Sequence, residues 1–359
     1  MAIASRLPGE RQLAREDADR IAAIRKSIIE IGDNWRTRHP WFARHQDGVG
    51  MAIFVVSIAG VVADAWLYAA SLLPWWATIL VNAYWLSLLH ELEHDLIHSM
   101  YFRTNRFVHN VMMFGVWLLR PSTINPWVRR RLHLHHHAVS GTDSDLEERA
   151  ITNGEGWGSR RLITLLDTFV GMYTRPFRMI ELVRVYVEQE ARSPEEARYL
   201  TNINRMSYFP LGAVHYLLWH LFIGINVYQW IAGPVDIPGQ GILGFLAVTV
   251  LAPNAIRTFC IYFVSSNLHY YGDVEAHNVL QQTQVWTAWW LKPFQALCFN
   301  FGETHAIHHF LVRDPFWLRA AIKRDCHRVL RENGVRFNDF GTFRRANRFT
   351  FAAPTTVDP

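Results

Sequence analysis

The stretch His90-Glu-Leu-Glu-His94-Asp-Leu-Ile-His98 closes an apolar run and is the first of three histidine clusters. The other two are His133-Leu-His135-His136-His137 and His305-Ala-Ile-His308-His309, which share the pattern His-x-x-His-His. Histidines at positions i and i+4 lie on one face of a helix. Repetition of this pattern, in a chain with long apolar segments, predicts one metal site assembled from distant parts of the sequence.

Four apolar segments are each long enough to cross a hydrocarbon core of about 30 Å as a helix of about 20 residues. They fall into two pairs, and each pair is joined by a short turn, at residues 71–76 and 232–241. We therefore predict an all-α integral membrane protein with four transmembrane helices in two hairpins, at approximately 50–73, 75–97, 209–231 and 242–269.

The distribution of Lys and Arg predicts the orientation of these hairpins. Both turns lack basic residues, whereas the N-terminal segment, residues 98–207 and the C-terminal segment are rich in them. Because basic residues concentrate on the cytoplasmic side of membrane proteins, both termini and all three clusters are predicted to be cytoplasmic, and we expect a bacterial inner membrane. The same pattern accounts for the net charge of +5 without a nucleic-acid partner.

The predicted organisation has three parts. Residues 1–48 form a cytoplasmic or interfacial helical region, residues 49–320 the membrane domain, and residues 321–359 a cytoplasmic tail. Within the membrane domain, residues 98–207 and 270–320 are predicted to form a cytoplasmic helical cap that carries the histidine clusters. Isoleucines at helical spacing between residues 21 and 31 predict an amphipathic helix, either on the membrane or as an ordinary surface helix.

The available donor atoms narrow the metal site. The three cysteines form no CxxC pair, so nitrogen and oxygen ligands are expected. Imidazole suits iron, zinc and copper. Two histidines from the first cluster and three from each of the others make eight nitrogen ligands, too many for one metal and enough for two. His269, at the cytoplasmic end of the fourth predicted span, is the natural ninth ligand.

At these residues the chain resembles the membrane fatty acid desaturase and hydroxylase superfamily, over roughly Leu89 to Pro315. His94-Asp-x-x-His98 is similar to the first histidine box of that family. The resemblance implies two iron ions held by three boxes and one extra histidine, with dioxygen as co-substrate. The ligands that it implies from the other boxes and the extra position are His133, His136, His137, His305, His308, His309 and His269.

The first cluster departs from the family pattern because it has three histidines. His90-Glu-Leu-Glu-His94 resembles the first box of the alkane monooxygenases, so His90 is a further candidate ligand or hydrogen-bond partner. The sequence leaves open which two of His90, His94 and His98 bind metal. His135 is also extra, and we expect it to point away from the site.

Polar residues beside the ligands are candidates for orienting them, because carboxylates commonly hydrogen-bond metal-binding imidazoles. Solvated loop or helix-end charges are the competing interpretation. The candidates are Asp95, Asp143, Asp145 and Glu303, together with Asn267, which would replace an Asn that some relatives carry where this chain has Ser265.

Two charged residues, Asp64 and Arg257, lie inside predicted spans at similar depths. An intramembrane charge is costly and usually faces a partner or a cavity. We predict that the two form an ion pair. The alternative is that Arg257 lines a substrate cavity and meets a polar group there.

These features predict oxygen-dependent oxidation of an unactivated C–H bond in a hydrophobic substrate that enters from the bilayer. The resemblance implies a fatty acid desaturase acting on an acyl lipid or acyl thioester. A hydroxylase or monooxygenase of an alkyl or small-metabolite substrate is the alternative. The sequence contains no flavin, haem-attachment or iron–sulfur motif, so a ferredoxin, rubredoxin or cytochrome b5-like donor with its reductase is expected.

Two further functional classes compete with an oxidase. His90-Glu-Leu-Glu-His94 matches HExxH, the zinc protease motif, with Glu91 as general base. Such a protease would leave the second and third clusters unexplained. A metal transporter would place its ligands near the bilayer midplane, whereas these clusters are predicted at one edge.

Overall fold

The computed structural model describes residues 8–350, with side chains described for 15–171 and 173–350. Of these described residues, 73% are helical and 2% are in strands, which confirms the all-α class. The α-helices are α1 (Pro8–Arg38), α2 (Pro40–Arg44), α3 (Gln46–Ala69), α4 (Trp75–Ile97), α5 (Arg106–Leu119), α6 (Pro126–Val139), α7 (Leu146–Arg149), α8 (Ser159–Leu165), α9 (Asp167–Glu190), α10 (Pro194–Arg205), α11 (Leu211–Ala232), α12 (Gln240–Leu246), α13 (Ala252–Leu268), α14 (Val279–Gln282), α15 (Lys292–Ala296), α16 (Phe301–Phe310) and α17 (Phe316–Glu332).

The remaining regular elements are short. Strands β1 (Gln284–Val285) and β2 (Arg336–Phe337) pair in parallel. A π-helical segment (Ala247–Leu251) makes α12 and α13 one continuous helix, and two 3-10 turns lie at Trp289–Leu291 and Phe340–Phe343. These elements connect the helices and leave the all-α character unchanged.

Three helices among residues 8–350 are long and apolar enough to cross a membrane: Gln46–Ala69, Leu211–Ala232 and Gln240–Leu268. They correspond to the first, third and fourth predicted spans. The second predicted span is α4, which has 23 residues but carries Glu91, Glu93 and Asp95 near its end. Three spans therefore follow from length and composition, whereas the second predicted span and the orientation stay predictions.

Helix α3 packs against α4, as a hairpin requires. Helix α3 ends before Ser71, whose φ of 60° leaves the helical region. Pro74 comes directly before α4, and a proline there has no N–H to contribute to an earlier helical turn. The turn chemistry of this segment therefore separates the two helices at residues 70–74.

The N-terminal helix is held by the C-terminal part of the chain. Ile24 and Ile28 are fully buried in a cluster with Ile322, Cys326 and Leu330 of α17. The apolar face that the isoleucine spacing predicted is therefore covered by protein, not by a bilayer. The predicted boundary between a membrane domain and a tail at 320–321 falls inside α17.

Candidate metal centre

Nine histidines converge where α4, α6, α13 and α16 meet, and they form two adjacent groups. Within each group, one ring nitrogen from every histidine lies within 4.8 Å of those of the others. The five-histidine group consists of His94, His98, His133, His137 and His308. The four-histidine group consists of His136, His269, His305 and His309.

Each His-x-x-His-His cluster contributes to both groups because of helical geometry. On α6, His133 and His137 are one turn apart on the same face and join the five-histidine group, whereas His136 joins the other. On α16 the assignment is reversed, because the i and i+4 pair joins the four-histidine group and His308 the five-histidine group. The rings of His137 and His309 lie 4.6 Å apart, so the groups are neighbours.

Local capping positions these helices. Asn125 caps α6 by accepting a hydrogen bond from the Trp127 amide (3.0 Å), and Pro126 occupies the first helical position. Helix α16 begins after Asn300, which adopts a left-handed conformation with φ of 58°. His269 follows the last residue of α13 in extended backbone, which turns its side chain toward the α16 histidines.

The contacts between ring nitrogens fit metal coordination better than hydrogen bonding. His305 Nε2 lies 2.9 Å from His269 Nε2 and 3.0 Å from His309 Nε2. His308 Nε2 similarly lies 3.0 Å from the Nε2 atoms of both His98 and His137. A neutral imidazole carries one N–H, so three mutually facing nitrogens cannot all be satisfied by one another. A metal ion at each group would accept their lone pairs.

Protonation also favours metal binding at most of these positions. Burial lowers the pKa of His305, His308 and His309 well below the usual value, which keeps them in the neutral form that binds metal. His136 differs. Burial lowers its pKa, but the Asp145 carboxylate outweighs this and raises the pKa to about 9. Metal binding at His136 must therefore release a proton.

Two carboxylates fix the tautomers of α6 histidines. His133 Nδ1 lies 2.8 Å from Glu147 Oε2, and His136 Nδ1 lies 2.9 Å from Asp145 Oδ2. Because a carboxylate accepts, the proton sits on Nδ1 and each Nε2 is left to face its group. Asp145 was among the residues singled out in the sequence, whereas Glu147 was not.

The other four candidates for orienting ligands make their contacts elsewhere. Asp95 directly follows His94 in α4 and so points about 100° away from it around the helix. Asp95 accepts hydrogen bonds from the Tyr101 hydroxyl, the Phe316 amide and Arg319; Asp143 accepts from Tyr271; Glu303 pairs with Lys292 and Lys323; and Asn267 Oδ1 accepts from Arg161.

Glu148 is a second acidic residue that the sequence analysis missed. Its Oε1 lies 3.8 Å from His269 Nε2 and accepts a hydrogen bond from the Ser265 hydroxyl (3.2 Å). Burial raises the pKa of Glu148 to about 8. The sequence signal that could have located Glu148 is Asp145. This residue caps the acidic helix α7 and so fixes that helix beside the second histidine cluster.

His90 lies outside both groups among the described residues. Its Nδ1 accepts a hydrogen bond from Arg120 Nη1 at 2.9 Å. His94 and His98, one and two turns further along, are the first-cluster members within the five-histidine group. A zinc protease would need His90 and His94 on one metal, which this arrangement does not provide. His135 faces Ser144 (3.3 Å), away from both groups, as expected.

Changing Asp145 to Asn should weaken metal binding at the four-histidine group. The amide oxygen still accepts from His136 Nδ1, but without the negative charge that makes the carboxylate a stronger acceptor. Mutation of such a partner typically costs about 10- to 100-fold in metal affinity. Metal retention against a graded chelator series measures the effect. Asp143→Asn is the matched control, because Asp143 contacts Tyr271 rather than a histidine. Equal retention in the two variants would refute the role of Asp145.

A cavity of about 110 Å³ adjoins both groups. It is lined by His94 and His133 of the five-histidine group, by His305 of the four-histidine group, and by Arg257.

The predicted ion pair between Asp64 and Arg257 is wrong. Asp64 is buried with Oδ2 lacking a hydrogen-bond partner, and the side chain of Arg257 donates to Thr258 instead. Similar depth in two helices does not fix the rotation of either about its axis.

Comparison with protein families agrees with this site. The model of the family described as fatty acid desaturase matches residues 70–341, which include α4, α6, α13 and α16. The chain belongs to the fatty acid desaturase family. The resemblance inferred from the histidine boxes is thus confirmed, and membership implies an oxidoreductase with a metal centre. A comparison with curated proteins found no match.

Proposed function

We propose that this desaturase-family protein is an oxygen-dependent diiron membrane oxidase that acts on an unactivated C–H bond. The observation that carries the proposal is the convergence of nine histidines into adjacent groups of five and four. Nitrogen donors in this number exceed what one metal can use. Imidazole ligands without thiolates suit iron, and the family makes iron the first choice over zinc or copper.

Two iron ions bound at these groups would supply dioxygen reduction and C–H oxidation. The residues of the chain provide the conditions for that chemistry. The imidazoles fix the positions of the metals, and Glu147 and Asp145 hold two of them in the required tautomer. All members of the four-histidine group are buried, which excludes bulk water from the reacting region.

We propose a membrane setting with both termini and the metal groups on the cytoplasmic side of a bacterial inner membrane. A hydrophobic substrate would enter from the bilayer. The three cysteines are buried and too few for an iron–sulfur cluster held by four thiolates, so electrons would come from a ferredoxin, rubredoxin or cytochrome b5-like donor with its reductase. The basic residues of the cytoplasmic regions would favour docking of an acidic donor.

Desaturation of a fatty acyl chain is the default reaction, and hydroxylation is the alternative within the same superfamily. The histidine ligands do not distinguish the two outcomes. A zinc protease is disfavoured by the contact of His90 with Arg120, which leaves HExxH without its first ligand.

Metal content and product analysis together test the proposal. The purified chain should contain about two irons, and cells that express it should accumulate a dehydrogenated or hydroxylated product only under oxygen. Inductively coupled plasma mass spectrometry and mass spectrometry of lipid and small-molecule extracts supply the measurements. One zinc per chain, or an identical product profile without oxygen, would refute a diiron oxidase.

A further inference from the structure

The cavity beside the metal groups is lined by both polar and apolar side chains. Arg257 and Thr258 are among the polar ones, and Leu132, Ile261 and Phe301 contribute apolar surface. Its volume of about 110 Å³ is small beside the roughly 300–1,000 Å³ of pockets that enclose drug-sized ligands. The enclosed part of a ligand is therefore short.

Arg257 is exceptional among the four fully buried arginines of the described residues. Arg120 and Arg319 each pair with a buried carboxylate, and Arg161 donates four hydrogen bonds to oxygen atoms. Arg257 donates to the Thr258 hydroxyl (3.0 Å), its Nε has no partner, and no ion pair forms with any described carboxylate. A buried guanidinium without an anion is costly, so its position calls for a negatively charged ligand.

The other two arginines that line the cavity are already neutralised. Arg129 and Arg120 share Glu93, and Arg129 has a second carboxylate: its Nη1 lies 2.7 Å from Glu93 Oε1 and its Nε 3.4 Å from Glu147 Oε1. The Arg175 guanidinium pairs with Asp167 at 2.5 Å. The acidic residues that line the cavity, Glu147 and Glu148, contact histidines and not Arg257. The uncompensated positive charge of the cavity is therefore that of Arg257.

His90 offers a second donor to the same space. Arg120 can only donate, so His90 Nδ1 is the acceptor and the single proton of the neutral ring sits on Nε2. That Nε2 is buried without a partner, and His90 lines the cavity. A first-cluster histidine outside both histidine groups thus lines the same cavity as Arg257 and has an N–H without a partner.

We propose that Arg257 and His90 bind the free carboxylate of the substrate. The planar guanidinium matches a carboxylate in geometry and charge, and Nε2–H of His90 would complete its hydrogen bonds. This inference rests on the proposed function, because it names the substrate class of that site. The inference also narrows the range of substrates, because it excludes an acyl lipid or an acyl thioester, neither of which has a free carboxylate.

The position of the carboxylate limits which carbon is presented to the metals. His90 is one helical turn from His94, a separation of about 5–6 Å between their Cβ atoms. A carboxylate held at His90 therefore places the reacting carbon within a few bonds of the acid group. The apolar side chains of the lining would receive the hydrocarbon portion, whether it belongs to a small metabolite or to a fatty acid.

Calorimetric titration of the metal-loaded protein in detergent tests this inference. The probes are hexanoate and hexadecanoate, each compared with the amide of the same chain length, which keeps the shape but loses the charge. At least one carboxylate should bind about 10-fold or more tightly than its amide. Binding of hexanoate would identify a small acid as the source of the carboxylate, and binding of hexadecanoate alone a fatty acid.

Variants at position 257 assign the preference to Arg257. Arg257→Met should abolish the preference for carboxylate at unchanged metal content, and Arg257→Lys should retain part of it. Arg160→Met is the control, because Arg160 is exposed and is not part of the cavity lining. Equal binding of acid and amide to the unmodified protein would overturn the inference, even if Arg257→Met fails to fold. A preference that survives in Arg257→Met would also overturn it.

The same measurements separate this inference from the proposed function. Binding does not depend on turnover. A carboxylate preference in a protein that lacks iron would therefore refute the diiron oxidase and still support the carboxylate site. A protein that contains two irons but shows no preference for carboxylate would support the diiron oxidase and overturn the carboxylate site.

Discussion

Replacing His308 with alanine should remove most of the metal from the five-histidine group and abolish turnover. The Nε2 of His308 lies 3.0 Å from those of His98 and His137, so its loss opens the centre of that group. Loss of a residue that merely orients a ligand costs about 10- to 100-fold in affinity or activity, and a ligand should cost at least that much. Iron per chain and product yield are the two measurements.

His135→Ala is the matched control for this variant. It removes a histidine from the same kind of cluster, but His135 lies outside both groups and faces Ser144. Metal and activity should be retained there. If His308→Ala keeps both at the level of His135→Ala, the five-histidine group is not a metal site.

Replacing Glu93 with alanine should produce a large loss of stability. Glu93 is fully buried, pairs with the fully buried Arg120, and also accepts from Arg129 at 2.7 Å. Removing one partner of a buried ion pair leaves an uncompensated charge and typically costs about 3–5 kcal/mol. Thermal unfolding in detergent, followed by circular dichroism, would show a marked fall in the midpoint.

Glu188→Ala provides the comparison for Glu93. Its side chain is 66% exposed and its partner Arg184 is 68% exposed, so the pair is screened by water. Its removal should change the free energy of unfolding by about 0.5 kcal/mol or less. Similar unfolding midpoints for the two variants would mean that the ion pair between Arg120 and Glu93 does not stabilise the fold.

The sequence was sufficient to predict the ligands as a set, because helical spacing and cluster repetition are local properties. It could not distribute them between two groups, since that depends on how α6 and α16 face each other. The first cluster shows the limit most clearly. Spacing alone makes His90 equivalent to His98, and only Arg120, 30 residues further along, separates their surroundings.

Long-range partners were the least predictable part of the site. Glu147 is 14 residues from His133, beyond the reach of any helical periodicity. Asp64 and Arg257 matched in depth, but depth leaves rotation about the helix axis undetermined. For the fold, hydropathy located three qualifying spans, and the acidic residues near the end of α4 set the second predicted span apart from them. The packing of α1 on α17 joins opposite ends of the chain, which no local pattern encodes.

Because each His-x-x-His-His cluster is divided between the two groups, helices α6 and α16 determine how the groups are placed relative to each other. On both helices, the offset between the two groups is a fraction of a helical turn. If either helix unwound or slipped by a residue, both groups would lose histidines at once. The two groups are therefore coupled, because a change in α6 or α16 alters both of them.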